Sequence, residues 1–152
     1  MVSDHAYARF SSSLGARGLR LAGRFNVAVY RLSRGRLMSK VGRAPVLLLT
    51  TTGRRSGQPR TAPLLYLDDG GRFVVIGSNA GNPRAAAWAL NLRADPDAEV
   101  EIRGRRQRVR ARVASGAERD ELWRRMNEQY AGFEDYRART SRDIPVLVLD
   151  PV

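Results

Sequence analysis

Arg54, Arg55 and Ser56 stand in a row between Gly53 and Gly57, and Arg60 follows four residues after the serine. Guanidinium groups are permanent cations with forked donors, so this cluster is suited to phosphate or carboxylate oxygens. The two glycines can take positive φ, which lets the loop turn sharply and aim backbone N–H groups inward. The same residues would also make an ordinary basic hairpin loop, and the loop alone does not choose between the two. Ser78, Asn79 and the N–H groups near Gly81 form a second cluster for polar or anionic ligand atoms. Late in the chain Tyr130 and Tyr136 offer hydroxyls, with Phe133 between them. The chain has no cysteine and one histidine, His5. Thiolate chemistry, a Ser-His-Asp triad and a multi-histidine metal centre are thereby excluded, and no metal site is expected. If the chain is an enzyme, a bound cofactor must carry the difficult step.

The loop lies between two extended runs. Val46 to Thr52 is apolar and β-branched, the composition of a buried strand, and RTAPLLYL from Arg60 is a second one. Asp68-Asp69-Gly70-Gly71 is a turn, and Arg72 to Gly77 a third strand. Asn82 as N-cap and Pro83 as first helical residue start a helix that carries Trp88 and Leu92 on one face and closes at Asp95-Pro96. Trp88 suits either a core position or a cofactor contact. Ala98 to Arg103 and Arg106 to Val113 make a hairpin about Gly104-Arg105, with Glu101 opposite Arg108, Glu99 opposite Arg110 and Val100 opposite Val109. Arginines 106, 108, 110 and 112 share one face of it. The cross-strand acids mark a solvated sheet face rather than a nucleic-acid footprint, and no interleaved aromatics support base stacking. Ser115 to Glu118 has the form of a capping box for a helix bearing Leu122, Met126 and Tyr130; Gly132 breaks that helix, and Pro145 to Leu149 is a last buried strand.

This order of elements gives about six mostly antiparallel strands with helices at the edges. A sheet of that size tends to curl closed, so the fold class is α+β around a small, partly open barrel. Regular βαβ alternation and GxGxxG are missing, against a Rossmann domain, and Gly57 is followed by Gln58, against a Walker A loop.

At 152 residues, 43% hydrophobic and 28% charged, the chain reads as one globular domain, 45–152, preceded by a basic helical arm, 1–44. The net charge of +12 is almost wholly arginine, and residues 1–45 hold nine basic groups against one acid. Leu21, Phe25, Ala28 and Leu32 form one apolar stripe along the arm, bordered by Arg20, Arg24 and Arg31. Such a helix can lie on an anionic membrane surface, or pack on its own domain with its arginines in water. No run is long enough to span a bilayer and no signal-peptide pattern begins the chain, so a cytoplasmic protein, soluble or peripheral to the membrane, is expected.

TTTGRRSGQPRTAPLLYL, the strand ending IGSNAG, WALNLRADP, and Tyr130, Phe133 and Tyr136 followed by IPVLVL together resemble the deazaflavin-dependent nitroreductase family. Those oxidoreductases use coenzyme F(420) on a split β-barrel of the flavin-reductase type, and the resemblance runs from about Pro45 to Pro151. It implies that Arg54, Arg55 and Ser56 hold the cofactor's phosphate and oligoglutamate tail. By the same resemblance Arg60, Thr61, Ala62, Pro63, Leu64 and Leu65 run along the deazaflavin. Ile76, Gly77, Ser78 and Asn79 complete the pocket with Ala87, Trp88, Ala89, Leu90 and Asn91. The late aromatics, Phe133 included, would roof the substrate side, with Tyr130 and Tyr136 bonding an acceptor oxygen. The family's nitroreductase branch has tyrosine where this chain has Leu65 and Phe133, and lysine where it has Arg55. A quinone or other planar electron-poor acceptor is therefore the expected substrate class, ahead of nitro compounds. The resemblance also associates the arm with membranes. FMN on the same barrel, a non-catalytic cofactor or lipid carrier, and a homodimer complete the expectations.

Overall fold

The computed structural model describes residues 16–37 and 39–152. In chain order it comprises α1 (Ala16–Leu32), β1 (Lys40–Val41), β2 (Ala44–Thr52), β3 (Pro59–Leu65), β4 (Leu67–Asp69) and β5 (Arg72–Ile76). A single 3-10 turn (Asn79–Gly81) leads to α2 (Ala87–Ala94), β6 (Asp97–Ile102) and β7 (Arg105–Val113). The chain then runs through α3 (Gly116–Gln129) and α4 (Gly132–Ala138) to β8 (Val146–Pro151).

All strand pairs are antiparallel, in the order β1-β2-β6-β7-β8-β5-β4, with β3 paired to β2. Leu47, Leu48 and Leu49 are fully buried, as an unbroken apolar run requires when both faces of a strand are covered. Strand β3 contains Pro59 and Pro63, which cannot donate to a ladder, and it pairs only with β2 among the described residues. Proline confines it to an edge. Only Tyr66 separates β3 from β4, the strand at the sheet's other end, so the chain itself joins the two edges and curls the sheet into a half-barrel.

Side-chain alternation sorts the core into two layers. Leu47, Leu49, Val75, Val100, Val109, Leu147 and Leu149 fill one face of the curled sheet, together with Trp88, Ala89 and Leu92 of α2. Val74, Ile76, Val146 and Val148 point the other way, against Leu122, Trp123 and Met126 of α3 and Phe133 and Tyr136 of α4.

Several expectations need correction. Among the described residues there are eight strands rather than about six, because Lys40–Val41 adds one and RTAPLLYL is cut in two at Tyr66, whose N–H bonds Pro45 O. The β6–β7 turn is Arg103-Gly104, both at positive φ, so the register moves by two residues: Glu101 faces Arg106, Glu99 faces Arg108 and Val100 faces Gln107. A two-residue slip keeps every side chain on its face, and arginines 106, 108, 110 and 112 are all exposed as expected. Helix α2 begins at Ala87, not Pro83, since Asn82 Nδ2 and N both donate to Asn79 O and close a turn there instead of capping a helix. Ser115 is the N-cap of α3, but no side chain closes a capping box; Glu118 forks onto Arg112 at 2.6 and 3.1 Å. Gly132 opens α4, so that FEDYRART, which the sequence allows as a short helix or a loop, begins as a helix; a Cβ at Gly132 would lie 2.4–2.5 Å from the Tyr130 ring.

In the arm, the stripe of Leu21, Phe25, Ala28 and Leu32 faces solvent, with Phe25 69% and Leu32 87% exposed. Tyr30, 1% exposed, is the anchor instead. Its hydroxyl donates to Val46 O at 3.2 Å and accepts from Arg103 N at 3.0 Å, tying α1 to two backbone segments at once. The side chain of Arg20 and the residues before Ala16 lie outside what the structure describes.

Candidate active site

The loop after β2 is closed by its own backbone. Gly53 N donates to Gln58 O and Gly57 N to Gly53 O, both at 2.8 Å. Gly57 takes φ +67° as expected, whereas Gly53 needs space rather than positive φ: a Cβ there would lie 2.7 Å from Ser56 Oγ. Asn91, 3% exposed on α2, fixes the loop to the body. Its Oδ1 accepts from Arg54 N (3.2 Å) and Nη1 (3.3 Å), and its Nδ2 donates to Thr51 Oγ1 (3.0 Å). Asn91, expected as pocket wall, thus has a definite task in holding the loop. Replacing it by alanine strands a buried hydroxyl and an N–H, so Asn91→Ala should cost about 1–3 kcal/mol of stability, read in denaturant unfolding, and speed amide exchange at Arg54.

What this pinning leaves over is donor capacity. The N–H groups of Arg55 and Ser56 have no partner among the described residues. Neither Arg54, Arg55 nor Arg60 meets a carboxylate there; Arg60 Nη2 reaches only Ser56 Oγ, at 3.4 Å. By contrast Arg112 is paired with Glu118 and Asp150. Three guanidiniums without a carboxylate partner, beside two free N–H groups, make a site for more than one anionic group.

From this loop β3 runs as a half-exposed strand, Thr61 to Leu65, with Leu65 packed against the helix-side core and Ala62 and Leu64 against the barrel interior. Ile76, Gly77 and Ser78 are buried at the end of β5. The turn that follows carries two non-glycine residues at positive φ, Asn79 (47°) and Ala80 (53°). Gly81 N is used by Ser78 O and Asn82 N by Asn79 O, so those N–H groups do not form the expected second anion cradle. Arg142, which the sequence reading passed over, holds this turn: Nη2 donates to Ser78 O (2.7 Å), Nη1 to Gly77 O (3.2 Å) and Nε to Asn82 O (3.1 Å). Burial lowers its pKa, because loss of solvent disfavours the charged form. Nothing in its sequence context, SRDIP, distinguishes it from a solvated loop arginine.

On α2, Trp88 and Ala89 point into the barrel core, while Ala87 is exposed and Leu90 half-exposed. Tyr130, Phe133 and Tyr136 form one buried cluster with Ile76, and Leu65 and Ala80 pack against it. The Tyr130 and Tyr136 hydroxyls lie 3.0 Å apart, and the Phe133 ring stands edge-on to Tyr130 at 5.1 Å. Leu65 at the end of β3 and Ala80 of the turn thus meet the late aromatics in one cluster. Tyr130, at 0% exposure, cannot touch a ligand in this conformation.

A protein-family model described as F(420)H(2)-dependent quinone reductase matches residues 22–151. An F(420)H(2)-dependent quinone reductase of Mycobacterium tuberculosis is 40% identical over 130 residues, which span 83% of this chain and 87% of that protein. Among solved structures, an F(420)H(2)-dependent reductase superposes with TM-score 0.65 at 32% identity, over 70% of this chain and 94% of that one. A protein described as a domain-swapped dimer gives TM-score 0.67 at 28% identity, over 84% and 96%. The half-barrel is accordingly the split-barrel, flavin-reductase-like fold, and the chain belongs to the F(420)H(2)-dependent quinone reductase family.

Proposed function

We propose that this protein is an F(420)H(2)-dependent oxidoreductase that reduces a quinone or similar planar acceptor. The observation that supports it best is the pairing of an open strand edge with an anion-ready loop at one end of it. Coenzyme F(420) is a flat ring on a ribityl phosphate with a lactyl-oligoglutamate tail, and its charges match the unpaired donors of Arg54, Arg55, Arg60 and the loop backbone. Thr61 to Leu65, with Ser78, Asn79, Ala87 and Leu90, would hold the ring. The relatives' names bring F(420), and nothing in the comparisons calls for FMN.

When bound and reduced, the cofactor supplies a hydride from its C5 carbon. The protein's part is to stack acceptor on ring, exclude water and bring one proton to the acceptor oxygen, so that a quinone leaves as a hydroquinone. Tyr136 is the proposed contact to that oxygen. Tyr130 orients it through the 3.0 Å hydroxyl pair, a positioning role consistent with its complete burial. Mixing the protein with reduced F(420) and menaquinone or a benzoquinone should restore the absorbance of the oxidised cofactor. Absence of turnover with every quinone tested would refute the assignment.

Leu65 and Phe133 leave the substrate side without two hydroxyls, which favours quinones over nitro compounds. Phe133→Tyr should shift the quinone-to-nitroarene ratio of kcat/KM by about tenfold or more while F(420) affinity changes less than about twofold, checked by steady-state assays and cofactor titration. The arm, to residue 44, docks the barrel on the inner face of the cell membrane through Leu21, Phe25, Ala28 and Leu32, and no described helix is long and apolar enough to cross it. A homodimer is supported by the domain-swapped relative and is testable by sedimentation.

A further inference from the structure

Two cavities, of about 250 and 460 Å³, lie at the opposite end of β2 from the arginine loop. From Val46 to Thr52 the strand spans about 20 Å, which separates them from the arginine loop; Val46 pairs with Leu65, so the smaller cavity borders the far end of the proposed ring site. The larger is lined by Arg34, Gly35, Arg36, Ser39 and Arg103. The smaller shares Ser39 and Arg103 with it and continues inward past Tyr30, Val46, Tyr66 and Ile102. The two form a cleft with a cationic mouth and an apolar, aromatic throat.

The mouth is held in an arrangement the chain would not adopt by default. Arg34 and Arg103 both have left-handed backbones, φ 51° and 50°, unusual for arginine. Gly35, at φ 74°, is wedged where a Cβ would lie 2.8 Å from Arg103 Cα, and its N–H donates to Tyr30 O at 2.7 Å. The loop after α1 is thus clamped on the β6–β7 turn, and three arginines converge. None of them, nor Lys40 beside the smaller cavity, has a carboxylate partner among the described residues. The C-terminus of α1 opposes an anion here by only about half a charge. Three guanidiniums outweigh it.

We propose that this cleft is a second anion site, separate from the cofactor loop, which takes a phosphate ester carrying an apolar chain. The phosphate oxygens would be held by Arg34, Arg36 and Arg103, and the first carbons of the chain would enter past Tyr30 and Tyr66. A phospholipid headgroup or a soluble phosphorylated amphiphile would each satisfy that chemistry.

Calorimetric titration of the whole protein with dihexanoyl phosphatidylglycerol, below its micellar concentration, should show saturable binding at least tenfold tighter than with dihexanoyl phosphatidylcholine. Changing Arg34, Arg36 and Arg103 together to glutamine should weaken it at least tenfold. The Arg106→Gln, Arg108→Gln, Arg110→Gln control, which removes equal charge from the exposed face of β7, should change it less than threefold. Should the triple variant not fold, judged by circular dichroism, Arg36→Gln alone, at an ordinary φ, should weaken binding at least threefold. Competition identifies the source. Displacement by anionic phosphatidylglycerol vesicles supports the site with a membrane lipid in it, and displacement by soluble glycerol phosphate supports it with a free phosphate ester. No saturable binding of phosphatidylglycerol, or equal losses in the pocket and control variants, would overturn the proposal. Oxidation of reduced F(420) by a soluble quinone should be unaltered in the pocket variants, so the outcome is independent of the activity assignment.

Discussion

Replacing Arg54 and Arg55 together by alanine should weaken F(420) binding by at least about 2 kcal/mol, roughly thirtyfold, while leaving the fold intact. Both side chains are exposed, and among the described residues the one side-chain hydrogen bond of either is that of Arg54 to Asn91, so little native structure depends on them. Their loss should therefore appear in the binding isotherm and hardly at all in the melting curve. The loop backbone persists through the Gly53–Gln58 and Gly57–Gly53 bonds, which involve neither side chain. A double variant that binds F(420) as well as the parent would move the polyanion elsewhere on the barrel.

Arg142→Ala carries the second large effect, and it should register first as instability. Three carbonyls from Gly77, Ser78 and Asn82 share one guanidinium, with a fourth donation to Asp143 O at 3.3 Å. Leaving them unpaired should cost about 2–4 kcal/mol. Because the Ser78 turn forms one wall of the proposed cofactor site, affinity for F(420) should fall several-fold as well. Arg142→Lys should recover only part of either quantity, since an ammonium cannot reach carbonyls on opposite sides of the turn as a planar fork does. Faster amide exchange at Gly81 and Asn82 would locate the damage in the turn. Unchanged exchange there, with lowered global stability, would show that Arg142 does not hold it.

The sequence was most informative where composition alone determines structure. A continuous Val46–Thr52 run has to be buried on both faces, and β2 is the strand most enclosed by neighbours. Alternation in β6 and β7 placed the arginine face correctly even though the register was two residues off, because a slip of two conserves sidedness. The family resemblance rests on the loop, the β3 edge, the Ser78 turn and the aromatic cluster, of which Leu65 of β3 and Ala80 of the turn pack on the aromatics. What could not be read were the long-range polar contacts. Arg142 acts across 60 to 65 residues on a turn that it has no sequence relation to. Asn91 looked like one more wall residue until its amide was seen to join Thr51 to Arg54. The sequence leaves the arm two readings for a similar reason. Periodicity identified its apolar stripe, but one hydroxyl, that of Tyr30, decides which side of α1 meets the barrel, and it turns the stripe outward.

One comparison goes directly to the assignment: calorimetric titration with F(420) and with its riboflavin-like fragment, which keeps the deazaflavin and ribityl chain but lacks phosphate and tail. The wild-type protein should bind the complete cofactor at least thirtyfold more tightly than the fragment, and the Arg54, Arg55 double alanine variant should lose most of that advantage. Equal affinity for the two ligands, or an advantage that survives loss of both arginines, would contradict the account.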